Sequence, residues 1–136
     1  MRNRRSFDLI LLSLRLVLGV IFIAHGAQKL FGIFGGHGIP GTISMMKSMN
    51  FILPVLFAWI LALAEFLGGL GILLGALPKT SAILISIVML VAIFAVHLPN
   101  GFFNSNGGVE FPLMNLVVAF AIFNAGAGKY SLYNNY

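Results

Sequence analysis

The sequence predicts an all-α integral membrane protein, built as a single four-helix bundle. Hydrophobic residues make up 60% of the 136-residue chain, charged residues make up 8%, and the mean hydropathy is +1.03. A soluble domain carries about 25% charged residues, so this chain has too few of them to cover a water-exposed surface. Its length predicts one transmembrane domain, residues 1–136, without room for a soluble catalytic module.

Four apolar segments approach the length of about 20 residues that a membrane helix needs. The predicted spans cover about residues 9–31, 51–77, 80–98 and 111–127, and the fourth is the shortest. The first is too long for the apolar core of a signal peptide and contains Arg15. Glycine and proline between the first two spans, in residues 32–41, predict turns, and an amphipathic piece follows in residues 42–50.

Basic residues lie at the ends of the predicted spans. With four spans, one side of the membrane receives Arg2, Arg4, Arg5, Lys79 and Lys129. The positive-inside rule makes this side the cytoplasm, so both termini are predicted to be cytoplasmic. The formal net charge of +5 is therefore explained by membrane orientation. A nucleic-acid partner is not expected, because the basic residues do not gather on a soluble face.

The chain contains no cysteine. Disulfide relays, thiolate metal sites, iron–sulfur clusters and thioether-linked haem are therefore excluded in this chain. Any redox role must use an electron carrier that does not depend on a thiol.

Ionisable side chains occur inside the predicted spans. Placing a charge in hydrocarbon costs free energy, so such residues indicate either a functional site or a pair of charges in the protein interior. At about 100° per residue, one face of the first span contains Gly19, Phe22, Gly26 and three ionisable residues, Arg15, His25 and Lys29. We expect this face to point into the bundle, because a charge that faced lipid would have neither water nor an opposite charge beside it. Glu65 in the second span has a depth similar to that of Arg15. We therefore predict an Arg15–Glu65 pair, serving either as a structural salt bridge or as a proton relay.

Toward the outer end of the bundle, a second group of polar residues has matched depth. We predict that one pocket, covered by the glycine-rich loop, is lined by His25, Lys29, His97 and Glu110. These side chains would hydrogen-bond a polar head group and exchange protons with it, which is a catalytic role. Two alternatives remain. Three of the residues (His25, His97 and Glu110) suit zinc or iron, although no local metal motif is present and no metal is predicted. Alternatively, His97 and Glu110 only cap helices.

The order of these residues resembles that of the DoxX family of small bacterial four-helix membrane proteins. The resemblance covers nearly the whole chain and includes Arg15, His25-Gly26 with Lys29, Ala64-Glu65 with Gly68-Gly69, His97, Glu110 and the closing segment Gly126-Ala-Gly-Lys-Tyr-Ser-Leu132. It implies a helical bundle in the bacterial inner membrane with an association with quinone-linked oxidoreduction. The family includes the membrane subunit of thiosulfate:quinone oxidoreductase and proteins of oxidative-stress defence and catechol metabolism.

The functional hypothesis is a membrane-embedded subunit of a quinone-linked oxidoreductase system that binds a quinone, or a similar apolar ligand, between its helices. A redox partner protein would supply the electron path, and a homo-oligomer in the lipid bilayer is expected. The alternative is a non-enzymatic membrane protein that serves in binding or assembly, or that transports a small aromatic or lipid-like solute.

Overall fold

The computed structural model describes residues 3–132, and over that range the protein is all-α, without a strand. Its α-helices are α1 (Arg4–Phe31), α2 (Gly38–Ser48), α3 (Pro54–Leu74), α4 (Pro78–Ala92) and α5 (Glu110–Ala125). The predicted fold class is confirmed. Arg2, one of the basic residues used to predict orientation, lies outside the described range.

In the described part of the chain, three helical segments are long and apolar enough to cross a membrane. They are α1, α3 and the stretch Pro78–Asn100, in which α4 continues through a π-helical turn at Ile93–His97 and a short 3-10 turn. Helix α5 is apolar but has only 16 residues, which gives it a length of about 24 Å. It is therefore shorter than the hydrocarbon core of about 30 Å.

Helices α1 and α3 pack antiparallel with their backbones in close contact. A Cβ atom added at Gly26 would lie 2.5 Å from the Phe66 nitrogen, and one added at Gly19 would lie 2.8 Å from the Leu73 Cβ. Only glycine fits at such positions. Small residues allow helix backbones to come close together in a membrane, where there is no hydrophobic driving force between helices. The predicted inward face of α1 is confirmed for Arg15, Gly19 and Gly26, which are all buried. His25, at the edge of that face, is exposed.

The core lies where α1, α3, α4 and α5 meet. Its buried apolar members are Leu18, Phe22, Ile72, Ala82, Ile85, Val88, Met89, Ala119 and Ile122. Many of the remaining large apolar side chains point outward and are exposed. An exposed apolar surface of this extent suits contact with lipid.

The connection between α1 and α3 contains more helix than the sequence predicted. Gly32 ends α1 with a φ of +68°, a left-handed conformation that glycine adopts without a steric penalty. Helix α2 then begins at Gly38, whereas the predicted amphipathic piece began at Thr42. Pro40 lies in the first turn of α2, where its missing N–H group leaves no helical hydrogen bond broken.

Candidate functional site

Glu65 forms an ion pair with Lys29. Lys29 Nζ lies 2.7 Å from Glu65 Oε2, and the exposed fractions of the two side chains are 20% and 7%. The ammonium donates to the carboxylate in a pair that is largely shielded from solvent. The predicted Arg15–Glu65 pair is therefore wrong.

The register between α1 and α3 explains this correction. Gly26 lies against Phe66, so the next turn of α1 brings Lys29 beside Glu65. Arg15 is 14 residues from Lys29 on the same helix, a separation of about 21 Å. The prediction assumed that the inner ends of the two helices are level, whereas α1 extends well past the end of α3.

Arg15 is 1% exposed, and its hydrogen-bond partners among the described residues are all backbone carbonyls. Its Nε donates to Ile72 O and its Nη2 to Leu73 O, both at 2.9 Å. Its Nη1 donates to Ala127 O and Tyr130 O, both at 2.7 Å. The last carbonyls of a helix lack helical partners, and that end of the helix dipole attracts a cation. The guanidinium therefore caps α3 and ties the segment after α5 to it.

The C-terminal segment, residues 126–132, closes this end of the bundle. The Lys129 backbone N–H donates to Asp8 Oδ1 at 3.0 Å. The Leu132 N–H donates to Leu74 O at the end of α3, also at 3.0 Å. The glycine-rich motif after α5 therefore has a structural role at the end where α1 begins.

A cavity of about 400 Å³ lies toward the other end of α1. All five helices contribute to its wall, and most of the lining side chains are aliphatic, aromatic or methionine. Its polar members are His25, Lys29, Glu65, His97 and Asn115. A concave, mostly apolar site with few polar groups and a volume of about 300–1,000 Å³ is typical of small-molecule binding.

Three of the four residues predicted for the outer pocket line this cavity, namely His25, Lys29 and His97. Glu110 does not. It is exposed, and its Oε2 accepts a hydrogen bond from the Asn104 backbone N–H at 2.8 Å. Because α5 begins at Glu110, this side chain lies level with the preceding loop, and Glu65 provides the carboxylate of the cavity.

His97 is presented by the π-helical turn Ile93–His97. Such turns are rare and are frequent at functional sites. His97 Nδ1 lies 2.7 Å from Gly107 O, and a carbonyl oxygen only accepts hydrogen bonds. Nδ1 therefore carries the proton in this contact, and a neutral His97 keeps Nε2 as an acceptor.

Methionines of the α2 region form one wall of the cavity. Met45 and Met46 on α2 and Met49 just after it line the cavity, whereas no residue from 32 to 41 does. The glycine-rich loop therefore does not line the cavity, and its role as a cover of the opening stays a prediction. Methionine is flexible and polarizable, so this wall can adapt to the shape of a ligand.

The described residues contain no group of three or more His, Cys, Asp or Glu side chains placed to hold a metal ion. The zinc or iron alternative required Glu110 next to His25 and His97. Glu110 instead binds the loop backbone.

Asn115 is a cavity residue that the sequence analysis missed. It lies in the middle of α5 and is 4% exposed. The available signal was an amide in the middle of a mostly apolar helix, because polar side chains in membrane helices face the interior.

The fold and the cavity define an all-α membrane protein with a candidate ligand site between its helices. The chain belongs to the DoxX family, whose model matches residues 10–98. It is 30% identical over 115 residues to the Bacillus subtilis protein named "Putative oxidoreductase CatD", which covers 85% of this chain and 78% of that protein. It is 29% identical over 131 residues to an uncharacterized protein of Haemophilus influenzae, with coverages of 90% and 87%. No solved structure matches the chain with significance.

Proposed function

We propose that this protein is a membrane-embedded subunit of a quinone-linked oxidoreductase system and that it holds a quinone in the cavity between its helices. Family membership and the printed name of the Bacillus subtilis relative support an association with membrane oxidoreduction. The observation that carries the proposal is the Lys29–Glu65 ion pair in the wall of an otherwise apolar cavity.

The composition of the wall suits this ligand. A quinone is a flat apolar ring whose two oxygens accept hydrogen bonds and take up protons on reduction. Phenylalanine, isoleucine and methionine side chains pack against such a ring and its hydrocarbon tail. The Lys29 ammonium has three N–H donors, and Glu65 accepts one of them. The remaining donors are available to a ligand oxygen.

Lys29 and His97 have distinct parts in the proposed chemistry. Lys29 stabilises negative charge that develops on a ligand oxygen. His97, with its proton held on Nδ1 by Gly107 O, takes up a proton from water at Nε2 and passes it to the ligand oxygen as the ring is reduced. His25 lies across from α5, with its ring centroid 6.4 Å from that of Phe111. The electrons come from a redox partner protein, which is part of the proposal.

The alternative is a non-enzymatic protein that binds or carries a small aromatic or lipid-like solute, or that assists assembly. The methionine wall of α2 favours a solute carrier, because it can accept ligands of different shape.

Quinone binding by purified protein in lipid nanodiscs tests the proposed function. A short-tailed benzoquinone should bind the wild type and should bind Lys29→Met and Glu65→Gln about tenfold or more weakly, because a hydrogen bond to a charged group contributes about 1.5–3 kcal/mol. Lys79→Met is the matched control, because Lys79 is exposed and outside the cavity wall. Equal affinity in all variants would refute the site. Binding without electron transfer in the presence of co-purifying proteins would favour the solute carrier.

We further propose that the protein is a multi-pass, homo-oligomeric protein of the bacterial inner membrane with both termini in the cytoplasm. The contact between Lys129 and Asp8 supports termini on the same side, and Arg4, Arg5 and Lys79 support the cytoplasmic side. A reporter fused after Tyr136 should be active only if it is one that works in the cytoplasm. Activity of an external reporter there would contradict this topology.

A further inference from the structure

Asn115 presents an unpaired amide to the cavity. Its side chain makes no hydrogen bond to any residue from 3 to 132, although the residue is 96% buried (4% exposed). Every fully enclosed side-chain nitrogen or oxygen in this range has a partner. The Asn115 amide is therefore not enclosed by protein, and the space it faces is the cavity that it lines.

An amide in this position needs an explanation. The other buried residues of α5 are Pro112, Ala119 and Ile122, so an aliphatic side chain would suit the same face. An amide that lacks a hydrogen-bond partner in apolar surroundings is unfavourable and is rare in folded proteins. A ligand oxygen in the cavity would provide the missing partner.

Each of the two polar centres in the wall combines a donor with an acceptor. Asn115 has the Nδ2–H groups and the Oδ1 oxygen, and the ion pair has the Lys29 ammonium and the Glu65 carboxylate. A donor binds the carbonyl oxygen of a quinone, and an acceptor binds the hydroxyl group of the corresponding hydroquinone. Each centre can therefore bind a ring oxygen in either oxidation state.

We propose that Asn115 binds one oxygen of the ligand while the Lys29–Glu65 pair binds the other, so that the cavity selects a ring that carries two oxygens. This inference rests on the proposed function and narrows its substrate class to quinones, hydroquinones and related dioxygenated aromatic rings. A ring with a single oxygen would leave one of the two centres without a partner, which reduces its affinity.

The test compares two probes on two variants in lipid nanodiscs. The probes are a short-tailed benzoquinone and a phenol with the same tail and one oxygen. Asn115→Leu removes the amide at similar volume, and Asn115→Ala is used if leucine disturbs packing. Asn124→Leu is the matched control, because Asn124 is exposed on the same helix and bonds to Phe120 O.

Asn115→Leu should weaken benzoquinone binding about fivefold to tenfold and should change phenol binding less than twofold. The thermal midpoint of the ligand-free variant should not fall, because no hydrogen bond within the described protein is lost. Asn124→Leu should bind both probes as the wild type does.

The outcomes separate this inference from the proposed function. Benzoquinone binding by the wild type and Asn115→Leu with equal affinity would overturn the role of Asn115 and leave the proposed function in place. A lower thermal midpoint with equal losses for both probes would assign Asn115 a structural role and also overturn it. If the wild type bound neither probe, the proposed function and this inference would both fail.

Discussion

Helix α1 contains two largely buried cations, and their surroundings differ. Arg15 forms four hydrogen bonds to backbone carbonyls in a closed, packed end of the bundle. Lys29 has one partner among residues 3–132, Glu65, and faces a cavity. A buried charge in a membrane helix is therefore not enough to indicate a binding site. The more informative feature is hydrogen-bonding capacity that the protein itself does not use.

The two ends of the bundle differ in the same way. At the Arg15 end, residues 126–132 connect the start of α1 to the end of α3 through backbone hydrogen bonds. At the Lys29 end, the wall contains flexible methionines, a π-helical turn and the Asn115 amide, which has no hydrogen-bond partner in residues 3–132. The first end is built for stability, and we propose that the second is built to hold a ligand.

Replacing Arg15 should have the largest effect on stability. Arg15→Met removes the guanidinium donor from two buried and two partly buried carbonyl groups. It should lower the free energy of unfolding by roughly 3–5 kcal/mol. Arg15→Lys should be intermediate, because a single ammonium cannot reproduce the fork of the guanidinium. Unfolding in mixed micelles measures both variants, with the exposed Arg5→Met as control. A loss below 1 kcal/mol for Arg15→Met would contradict a clamping role.

Replacing His97 should affect electron transfer more than stability. His97→Asn retains an N–H group that can reach Gly107 O but removes the acceptor at Nε2. Reduction of quinone by the redox partner should fall about 100-fold if His97 relays the proton, while the thermal midpoint changes little. His37→Ala is the control, because His37 lies outside the cavity wall. Unchanged turnover in His97→Asn would exclude the proton-accepting role.

Double-mutant cycles distinguish the two cations directly. Lys29→Met and Glu65→Leu should show a coupling free energy of about 1 kcal/mol or more, because the two residues are in contact. Arg15→Met and Glu65→Leu should be additive within about 0.5 kcal/mol, because they are far apart. A large coupling between Arg15 and Glu65 would instead support the pair that the sequence analysis predicted.

Glu110→Gln should have the smallest effect. The Glu110 carboxylate accepts one exposed backbone hydrogen bond in the loop before α5, and glutamine can still accept it. Stability should change by less than about 1 kcal/mol, and benzoquinone affinity in nanodiscs should be unchanged. A tenfold loss of affinity would place Glu110 in the binding site after all.

Much of the fold could be predicted from the sequence, because apolar length and the glycine face of α1 are local properties. The relative level of α1 and α3 could not be predicted in this way. This relative level depends on the close contact of Gly19 and Gly26 with the backbone of α3. The apolar runs in the sequence give only the approximate ends of each span. For this reason Arg15 was paired with the wrong residue.

The candidate site could be predicted in part. His25, Lys29 and His97 were grouped by depth along their helices, and the structure brings them to one cavity. The prediction for Glu110 failed because this residue is the first of α5. Its side chain therefore lies beside the preceding loop and not beside the cavity. The sequence did not single out Asn115, because an amide in an apolar helix can also serve helix packing alone. Only the structure shows that this amide is buried in the cavity wall without a hydrogen-bond partner among the described residues.

The most direct test of the central claim is to map where a quinone binds in native membranes. An azido-quinone should photolabel peptides that contain Met45, Met49 or Asn115, and an excess of unlabelled quinone should abolish the labelling. Lys29→Met should reduce it, whereas Lys79→Met should not. Labelling confined to the lipid-facing surface or to the Arg15 end, or labelling unaffected by Lys29→Met, would contradict the assignment of the Lys29 end as the ligand site.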